Sequence, residues 1–294
     1  LMATQGEPFG GTAMYAQWRI FQCAREAGIT VVLEGQGGDE VLGGYSGYPG
    51  QLMLSYLEAA SLKSLWRFSR HYHDWEGRED LNPWRALIGQ LIPDKAYNYG
   101  NSLLKRSPMP NWLNQDQILK SGINVRPIRM EKKAVNRRRR LVETLFQSLT
   151  IQGLPHLLRY GDRNAMHFSI ENRVPFLTLP IAEFMLSQPE SYLVSEYGET
   201  KSLFRAAMQD IVPEEILNRR DKIGFHTPMR EWMRHRILSD LNDTDERPDS
   251  VAELINQIQM KQFVKQAFES DTSFSWQVWR IFNLLHWSKH IQKG

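Results

Sequence analysis

The sequence predicts a mostly α-helical chain that carries one or two strands of a parallel sheet, and so an α/β fold. An apolar, β-branched run, ITVVL at 29–33, stands between a helical pattern and a glycine-rich turn. That order is half of a βαβ unit, and a strand that is apolar on both faces is typical of a buried parallel sheet. After Tyr48, helical periodicity dominates.

The first predicted helix lies in TAMYAQWRIFQCAREAG, where apolar residues recur at spacings of three and four. Thr12 is the predicted N-cap, and Gly28 is the predicted residue after the C-cap. Cys23 is the only cysteine, so no intrachain disulfide forms. Its place in the apolar pattern predicts a core residue rather than a nucleophile.

Beyond Tyr48 the segment GQLMLSYLEAASLKSLWRFSRHYHDW predicts one long helix, and residues 93–130 predict a loop. Later helices are expected at roughly 131–150, 153–168, 180–187, 200–211, 229–240, 250–268 and 274–291. One or two strands cannot form a stable sheet alone. We therefore expect the remaining strands upstream of residue 1, in a larger protein, and an open sheet face that favours association, a homodimer being one form.

Composition narrows the class of partner. The net charge of +3 over 294 residues is too small to require nucleic acid as a partner. No apolar run reaches membrane-spanning length. The first residues, LMATQGEPFGG, lack the basic and apolar regions of a signal peptide, so we do not expect one there. The eight histidines lack the spacing of a zinc site. These features are typical of a cytoplasmic protein without a membrane partner.

The turn after the strand, EGQGGDEVLGGY, places Asp39 and Glu40 among five glycines. It matches neither the dinucleotide nor the Walker pattern. Two interpretations remain open at this point. Carboxylates beside glycines suit Mg²⁺ with phosphates, and acids in a first helical turn are favoured by the helix dipole. The two interpretations are compatible if Glu40 has a structural role and Asp39 a functional one.

A second segment, LLRYGDRNAMHFSIENRVPFL, carries Asp162, Arg163, Glu171 and Arg173. Its pattern predicts these charges on or beside one amphipathic helix that Pro175 ends. Arg163 and Glu171 would then lie two turns apart on one face. Partly buried charges require partners, so the segment is either a salt-bridge network or part of an active site.

A third segment, GETKSLFRAAMQDIVPEEILNRRDKIGFHTP, predicts a helix with Thr200 as its N-cap and Lys201 in its first turn. The helix dipole disfavours a cation there, so Lys201 is expected to face an anion. A basic loop follows, which is either a solvated turn or a phosphate contact; it contains Arg219, Arg220, Lys222 and Gly224.

The run Arg137–Arg140 is the most basic part of the chain. Three interpretations stay open for it: a solvated helix face, a nucleic-acid or polyanion contact, and a contact to a phosphate in the active site. The second would make the chain a non-catalytic binding module.

Together the three segments resemble the C-terminal synthetase domain of glutamine-hydrolysing asparagine synthetases in their order, their spacing and their residues. The resemblance runs from about Gly6 to about Trp232, and weakly onward, so residues 1–294 resemble the C-terminal part of that domain. It implies an adenine-nucleotide α-hydrolase-like fold with ATP and Mg²⁺ as cofactors. It also implies that ATP adenylates a small carboxylate, aspartate in the standard case. Ammonia from an N-terminal glutaminase domain then attacks the acyl-adenylate.

The resemblance assigns the cofactor side of the site to the glycine turn. Asp39 corresponds to a Mg²⁺–pyrophosphate ligand. Gly35, Gln36, Gly37 and Gly38 lie where the family contacts ATP, and Gln36 also lies towards the acyl substrate.

The resemblance assigns catalysis and acyl binding to five further positions. Lys201 resembles the lysine that contacts phosphate and stabilises the adenylation transition state. Tyr45 resembles the tyrosine near the acyl site. Asp162, Glu171 and Arg173 resemble residues that shape the acyl pocket.

Two positions depart from the family pattern: Gln36 and Thr178 stand where relatives carry acids. The pyrophosphate loop SGGxDS and the glutaminase cysteine are absent from this chain, so we expect it not to form an amide alone. Relatives of the same fold close β-lactam rings, cyclise peptides or amidate sugar acids, and Gln36 favours such a non-standard substrate.

Overall fold

Two three-residue strands form a parallel pair beside the glycine turn. The computed structural model describes residues 1–46, 48–93, 96, 109–122, 138–220, 227–240, 252–269 and 276–291. Within these, β1 (Val31–Leu33) pairs with β2 (Glu171–Arg173), with Val31 opposite Glu171 and Leu33 opposite Arg173. The backbone bond from Glu34 N to Arg173 O, at 2.8 Å, extends the pair by one residue. The expectation of a mostly helical chain with a small parallel sheet is confirmed.

The helical prediction for residues 171–173 is wrong. The preceding helix, Leu154–His167, ends before them, and Ser169 has a left-handed φ of 55°. Ile170 is then fully buried, and Asn172 donates a 2.9 Å hydrogen bond to Glu34 Oε2. Pairing with β1 and burial of Ile170 therefore override the local helical pattern. Arg163 and Glu171 do not share a helix face.

The prediction that β1 is buried on both faces is also wrong. Leu33 is 70% exposed and Val31 is 40% exposed, whereas Val32 is half-buried. Successive strand residues point to opposite faces. One face of β1 is therefore open to solvent, which agrees with the expected open sheet face.

The helix that the sequence predicts first begins and ends at the predicted residues. It spans Ala13–Glu26 with Thr12 as N-cap, and Gly28 follows the C-cap with φ of 77°. Cys23 is exposed, not in the core, because this helix buries its other face through Gln17 and Phe21.

The long helix predicted after Tyr48 is two helices, Pro49–Glu58 and Leu62–His71. Ala60 adopts a left-handed φ of 56°, which ends the first helix. Within the predicted loop at 93–130, residues 94–95, 97–108 and 123–130 lie outside the described residues, and Gln115–Lys120 is helical rather than irregular. Other helices span Met2–Gln5, Gly38–Leu42, Pro83–Leu91, Arg140–Thr150, Leu179–Ser187, Glu190–Leu193, Ser202–Ala207, Glu214–Leu217, Met229–Asp240, Gln257–Glu269 and Trp276–Ile291.

Two apolar clusters carry most of the core. The first joins the C-terminal helices to the start of the chain, where Phe9 packs with Ile237, Met260 and Val278. The second, here called the central cluster, is formed by Val41, Leu42, Leu52, Met53, Leu54, Leu65, Phe68, Tyr72, Leu87, Leu141, Leu145, Met185, Leu193 and Val194. It contains residues from the glycine turn and from the segment that precedes Lys201, and so positions both.

Candidate functional site

Asp39 and Lys201 form an ion pair at the glycine turn. Lys201 Nζ lies 2.8 Å from Asp39 Oδ1, and the two side chains are 33% and 22% exposed. Asp39 stands in the first turn of the Gly38–Leu42 helix, after the carboxyl end of β1. Ligands of open parallel sheets bind outside this end of the strands. The structure thus joins two of the three predicted segments through one pair of charges.

Lys201 is the N-cap of the Ser202–Ala207 helix, so the prediction of Thr200 as N-cap is wrong. Lys201 has a left-handed φ of 58°, a conformation uncommon outside glycine. Thr200 is buried and pairs with Val194 in an antiparallel bridge. That bridge ends the extended segment at Thr200, so Lys201 makes the turn into the helix and its ammonium group reaches Asp39.

Gly44 gives the ion pair its space. A Cβ at Gly44 would overlap Asp39 Oδ1 and come within 2.7 Å of Lys201 Cε. Only glycine fits this approach. Gly44 is one of the five glycines of the predicted turn but was not among the predicted site residues. The paired glycines before Tyr45 were the available signal.

Glu40 and Tyr45 form a second, inward-facing contact. Tyr45 Oη donates a 2.6 Å hydrogen bond to Glu40 Oε1, and Glu40 is 3% exposed. Burial, followed by this hydrogen bond, raises the pKa of Tyr45 far above its ordinary value. Tyr45 is therefore a neutral donor, and the two adjacent acids differ: Glu40 faces inwards and Asp39 faces Lys201.

The VPFL segment packs on the glycine turn. Gly37 has φ of 83°, and a Cβ there would overlap the side chain of Leu177. A Cβ at Gly38 would touch the ring of Phe176 at 3.5 Å. Close packing and positive φ together require glycine at position 37. The second predicted segment therefore meets the first through apolar contacts rather than through its charges.

The other predicted cofactor residues lie at the open side of the turn. Gly35 is exposed, and its carbonyl accepts a 3.2 Å hydrogen bond from Gly38 N. Gln36 is half-buried, and its side chain makes no hydrogen bond to another described residue.

The predicted acyl-pocket charges are not joined to the Asp39–Lys201 pair. Glu171 Oε1 accepts a 2.7 Å hydrogen bond from Arg173 Nε, and both side chains are more than half exposed. The hydrogen bond from Arg173 lowers the pKa of Glu171. Asp162 is exposed on the Leu154–His167 helix, with no ion pair to another described residue.

The predicted basic loop lies partly outside the described residues, which include Arg219 and Arg220 but not Lys222 or Gly224. Arg220 Nη1 donates a 3.1 Å hydrogen bond to Asp74 O, and its guanidinium lies 5.2 Å from the Trp75 ring centroid. Arg220 therefore packs against the helical body.

Arg140 is not on a solvated helix face, as one interpretation of the arginine run required. Its Nη2 lies 2.7 Å from Glu58 Oε1 and its Nη1 lies 3.1 Å from Glu143 Oε2. The Arg140 side chain is only 14% exposed. The positive charge of Arg140 is therefore paired with carboxylates within the fold.

The Arg139 side chain also forms hydrogen bonds within the fold. Its Nη2 donates 2.7 Å hydrogen bonds to the carbonyls of Leu186 and Gln188. Arg138 is exposed, and Arg137 lies outside the described residues.

Comparison with known proteins places these segments in one family. The family model described as asparagine synthase matches residues 1–289. The chain belongs to the asparagine synthase family. It is 26% identical over 237 residues to asparagine synthetase [glutamine-hydrolyzing] 1 of Bacillus subtilis, covering 74% of this chain and 34% of that protein. It is 28% identical over 225 residues to putative asparagine synthetases [glutamine-hydrolyzing] of Mycobacterium bovis and Mycobacterium tuberculosis, covering 73% of this chain and 32% of each.

This member of the asparagine synthase family spans about a third of the length of the curated relatives it matches. No solved structure matches it significantly. Within the described ranges, no helix has the length and apolar character needed to cross a bilayer. Membership supports the resemblance drawn from the three segments.

Proposed function

We propose that the chain is the C-terminal part of the synthetase domain of an ATP-dependent, amide-forming ligase, with aspartate as the acid. We further propose the adenine-nucleotide α-hydrolase fold for the complete domain and the cytoplasm as its compartment. The Asp39–Lys201 ion pair is the observation that carries the proposal. Family membership and the printed names of the relatives support the reaction class.

In the proposed reaction, an oxygen of the substrate carboxylate attacks the α-phosphorus of ATP, and pyrophosphate leaves. Ammonia then attacks the acyl carbon, and AMP leaves as the amide forms. Lys201 offers a cation where negative charge develops on the phosphates. Electrostatic stabilisation of such charge is usually the largest single contribution to catalysis of this kind of step. Gln36 and Tyr45 flank the acyl group.

Magnesium fits this site as an ion that the protein and the nucleotide phosphates would coordinate together, rather than as one held by protein ligands alone. Among the described residues no group of three or more His, Cys, Asp or Glu could hold a metal ion. Mg²⁺ with nucleotides needs only one or two carboxylates, because phosphate and water fill the other positions. Asp39 would hold the ion, which supplies charge neutralisation to the phosphates, and Lys201 would exchange Asp39 for a phosphate oxygen.

The proposal includes two parts that this chain's motifs do not supply: a pyrophosphate loop and a glutaminase domain that delivers ammonia. The chain alone is therefore expected to be inactive. ATP-to-AMP turnover by residues 1–294 would contradict this part of the proposal without contradicting the reaction.

The test measures pyrophosphate release by the protein in its full natural length, with ATP, Mg²⁺, glutamine and aspartate. Lys201→Gln and Asp39→Asn should each lower the rate by about a hundredfold or more, as loss of a transition-state charge does. Lys265→Gln is the matched control, since that lysine is 75% exposed on a distant helix. Wild-type rates in Lys201→Gln would overturn the proposal. Release with another acid but not with aspartate would replace the substrate and keep the reaction class.

A further inference from the structure

A cavity of about 540 Å³ lies between the start of the chain and the last described helix. We call it the Trp276 cavity. Its walls come from the Phe9 segment, from Tyr160 on the Leu154–His167 helix and from the Trp276–Ile291 helix. The volume is within the range of small-molecule sites, about 300–1,000 Å³. Neither the glycine turn nor the Lys201 segment contributes to it.

Four of the eight residues that line the cavity are aromatic. Phe9 and Trp279 are buried, and their ring centroids lie 5.5 Å apart in an edge-to-face arrangement. Trp276 is 58% exposed, and its ring lies over Gly11, where a Cβ would come within 3.0 Å of Trp276 Cζ3. A flat ring is the ligand shape that such walls contact most fully.

A buried asparagine, Asn283, lies in the wall of the cavity. Asn283 is 1% exposed, and its Nδ2 donates a 3.0 Å hydrogen bond to Phe9 O. Trp279 Nε1 donates to the same carbonyl at 2.9 Å. The bond to Phe9 O identifies the Asn283 nitrogen, because the flipped amide would place two acceptors together. Asn283 Oδ1 then has no hydrogen-bond partner among the described residues, but it is fully buried, so a ligand in the cavity does not contact it.

Arg280 brings a positive charge to the same cavity. It is exposed, and it makes no ion pair or hydrogen bond with another described residue. Trp276, Arg280 and Asn283 recur at spacings of four and three on one helix, which places them on one face. A guanidinium without a carboxylate partner favours an anion, and its fork matches a carboxylate.

We propose that the Trp276 cavity binds a small aromatic carboxylic acid. Its ring lies against Trp276 and Trp279, and its carboxylate meets Arg280. This site is separate from the proposed ligase site and does not depend on the ligase activity.

The probe is 4-hydroxybenzoate, titrated into the whole chain by calorimetry. Saturable binding is expected, and Arg280→Ala and Trp276→Ala should each weaken it by roughly tenfold. The matched controls are Arg25→Ala, an exposed arginine on another helix, and Trp66→Ala, whose tryptophan is 56% exposed. Both controls and Lys201→Gln should bind like the wild type.

Two analogues test the individual contacts. Benzoate keeps the ring and the carboxylate and should bind about as tightly as 4-hydroxybenzoate, whereas cyclohexanecarboxylate lacks the π-system and should bind more weakly than benzoate. No saturable binding of 4-hydroxybenzoate, or equal weakening in the control variants, would overturn the proposal. Retained folding of each variant is checked by circular dichroism, and since Arg280 and Trp276 are exposed, neither substitution opens the core.

Discussion

Lys201 Nζ lies 2.8 Å from Asp39 Oδ1 although the lysine stands at the start of one short helix and the aspartate in the first turn of another. Both helix starts are fixed by residues with positive φ, Lys201 itself and Gly37. The contact therefore depends on backbone conformation as much as on charge.

Gly44→Ala should disrupt the Asp39–Lys201 pair. The new Cβ would overlap Asp39 Oδ1, so one of the two charged side chains must move. Misplacement of a catalytic group by a small distance costs about tenfold or more in rate. Pyrophosphate release by the full-length protein measures this loss.

Gly89→Ala is the control for Gly44→Ala. A Cβ at Gly89 meets nothing within 4 Å, inside the Pro83–Leu91 helix. This substitution should leave the rate unchanged and raise the free energy of unfolding by roughly 0.5–1 kcal/mol. A wild-type rate in Gly44→Ala would show that the pair is not needed in the observed arrangement.

Arg140→Ala should destabilise the fold. The side chain is 14% exposed and bonds Glu58 and Glu143, so its loss removes one ion pair from each carboxylate. Loss of charged hydrogen bonds of this kind costs about 1–3 kcal/mol. Urea unfolding measures the difference, with Arg25→Ala as the exposed control.

Arg140→Ala and Arg25→Ala also distinguish a structural role of the arginine run from a role in polyanion binding. If the arginine run is structural, neither variant changes retention on a DNA column at low salt. Weaker retention of Arg140→Ala than of Arg25→Ala, at equal stability, would favour the binding-module interpretation instead.

Glu190→Gln should become more stable relative to the wild type as pH rises. Burial raises the pKa of Glu190 above its ordinary value of 4.5, although its carboxylate accepts a hydrogen bond from Val142 N. A raised folded-state pKa gives a contribution that is fully present below the unfolded value and is lost as pH rises through the folded one. Glutamine keeps a carbonyl acceptor and does not ionise.

The measurement is the free energy of unfolding in urea between about pH 4 and pH 7, across which the difference should grow. Glu76→Gln, at an exposed position, is the control and should show no comparable trend. A constant difference between the wild type and Glu190→Gln would contradict the prediction.

The first helix, β1 and the glycine turn were predictable because each has a local cause: apolar spacing, β-branched residues and turn glycines. Strand β2 was not, because three residues give no measurable period and its pairing partner lies far away in sequence. The inward use of Arg140 depends on Glu58, an equally distant residue. At the candidate site, sequence selected Asp39, Lys201 and Tyr45, but the role of Gly44 needed three-dimensional proximity.

The central cluster has a consequence for how this protein can change over generations. A Cβ at Gly43 would come within 3.2 Å of Val194 Cγ2, and Val41 and Leu193 belong to the same apolar cluster. Uncharged side chains therefore pack between the turn that carries Asp39 and the segment that precedes Lys201. Substitutions at 193 or 194 are therefore expected to shift the distance between Asp39 and Lys201 without altering any ionisable group.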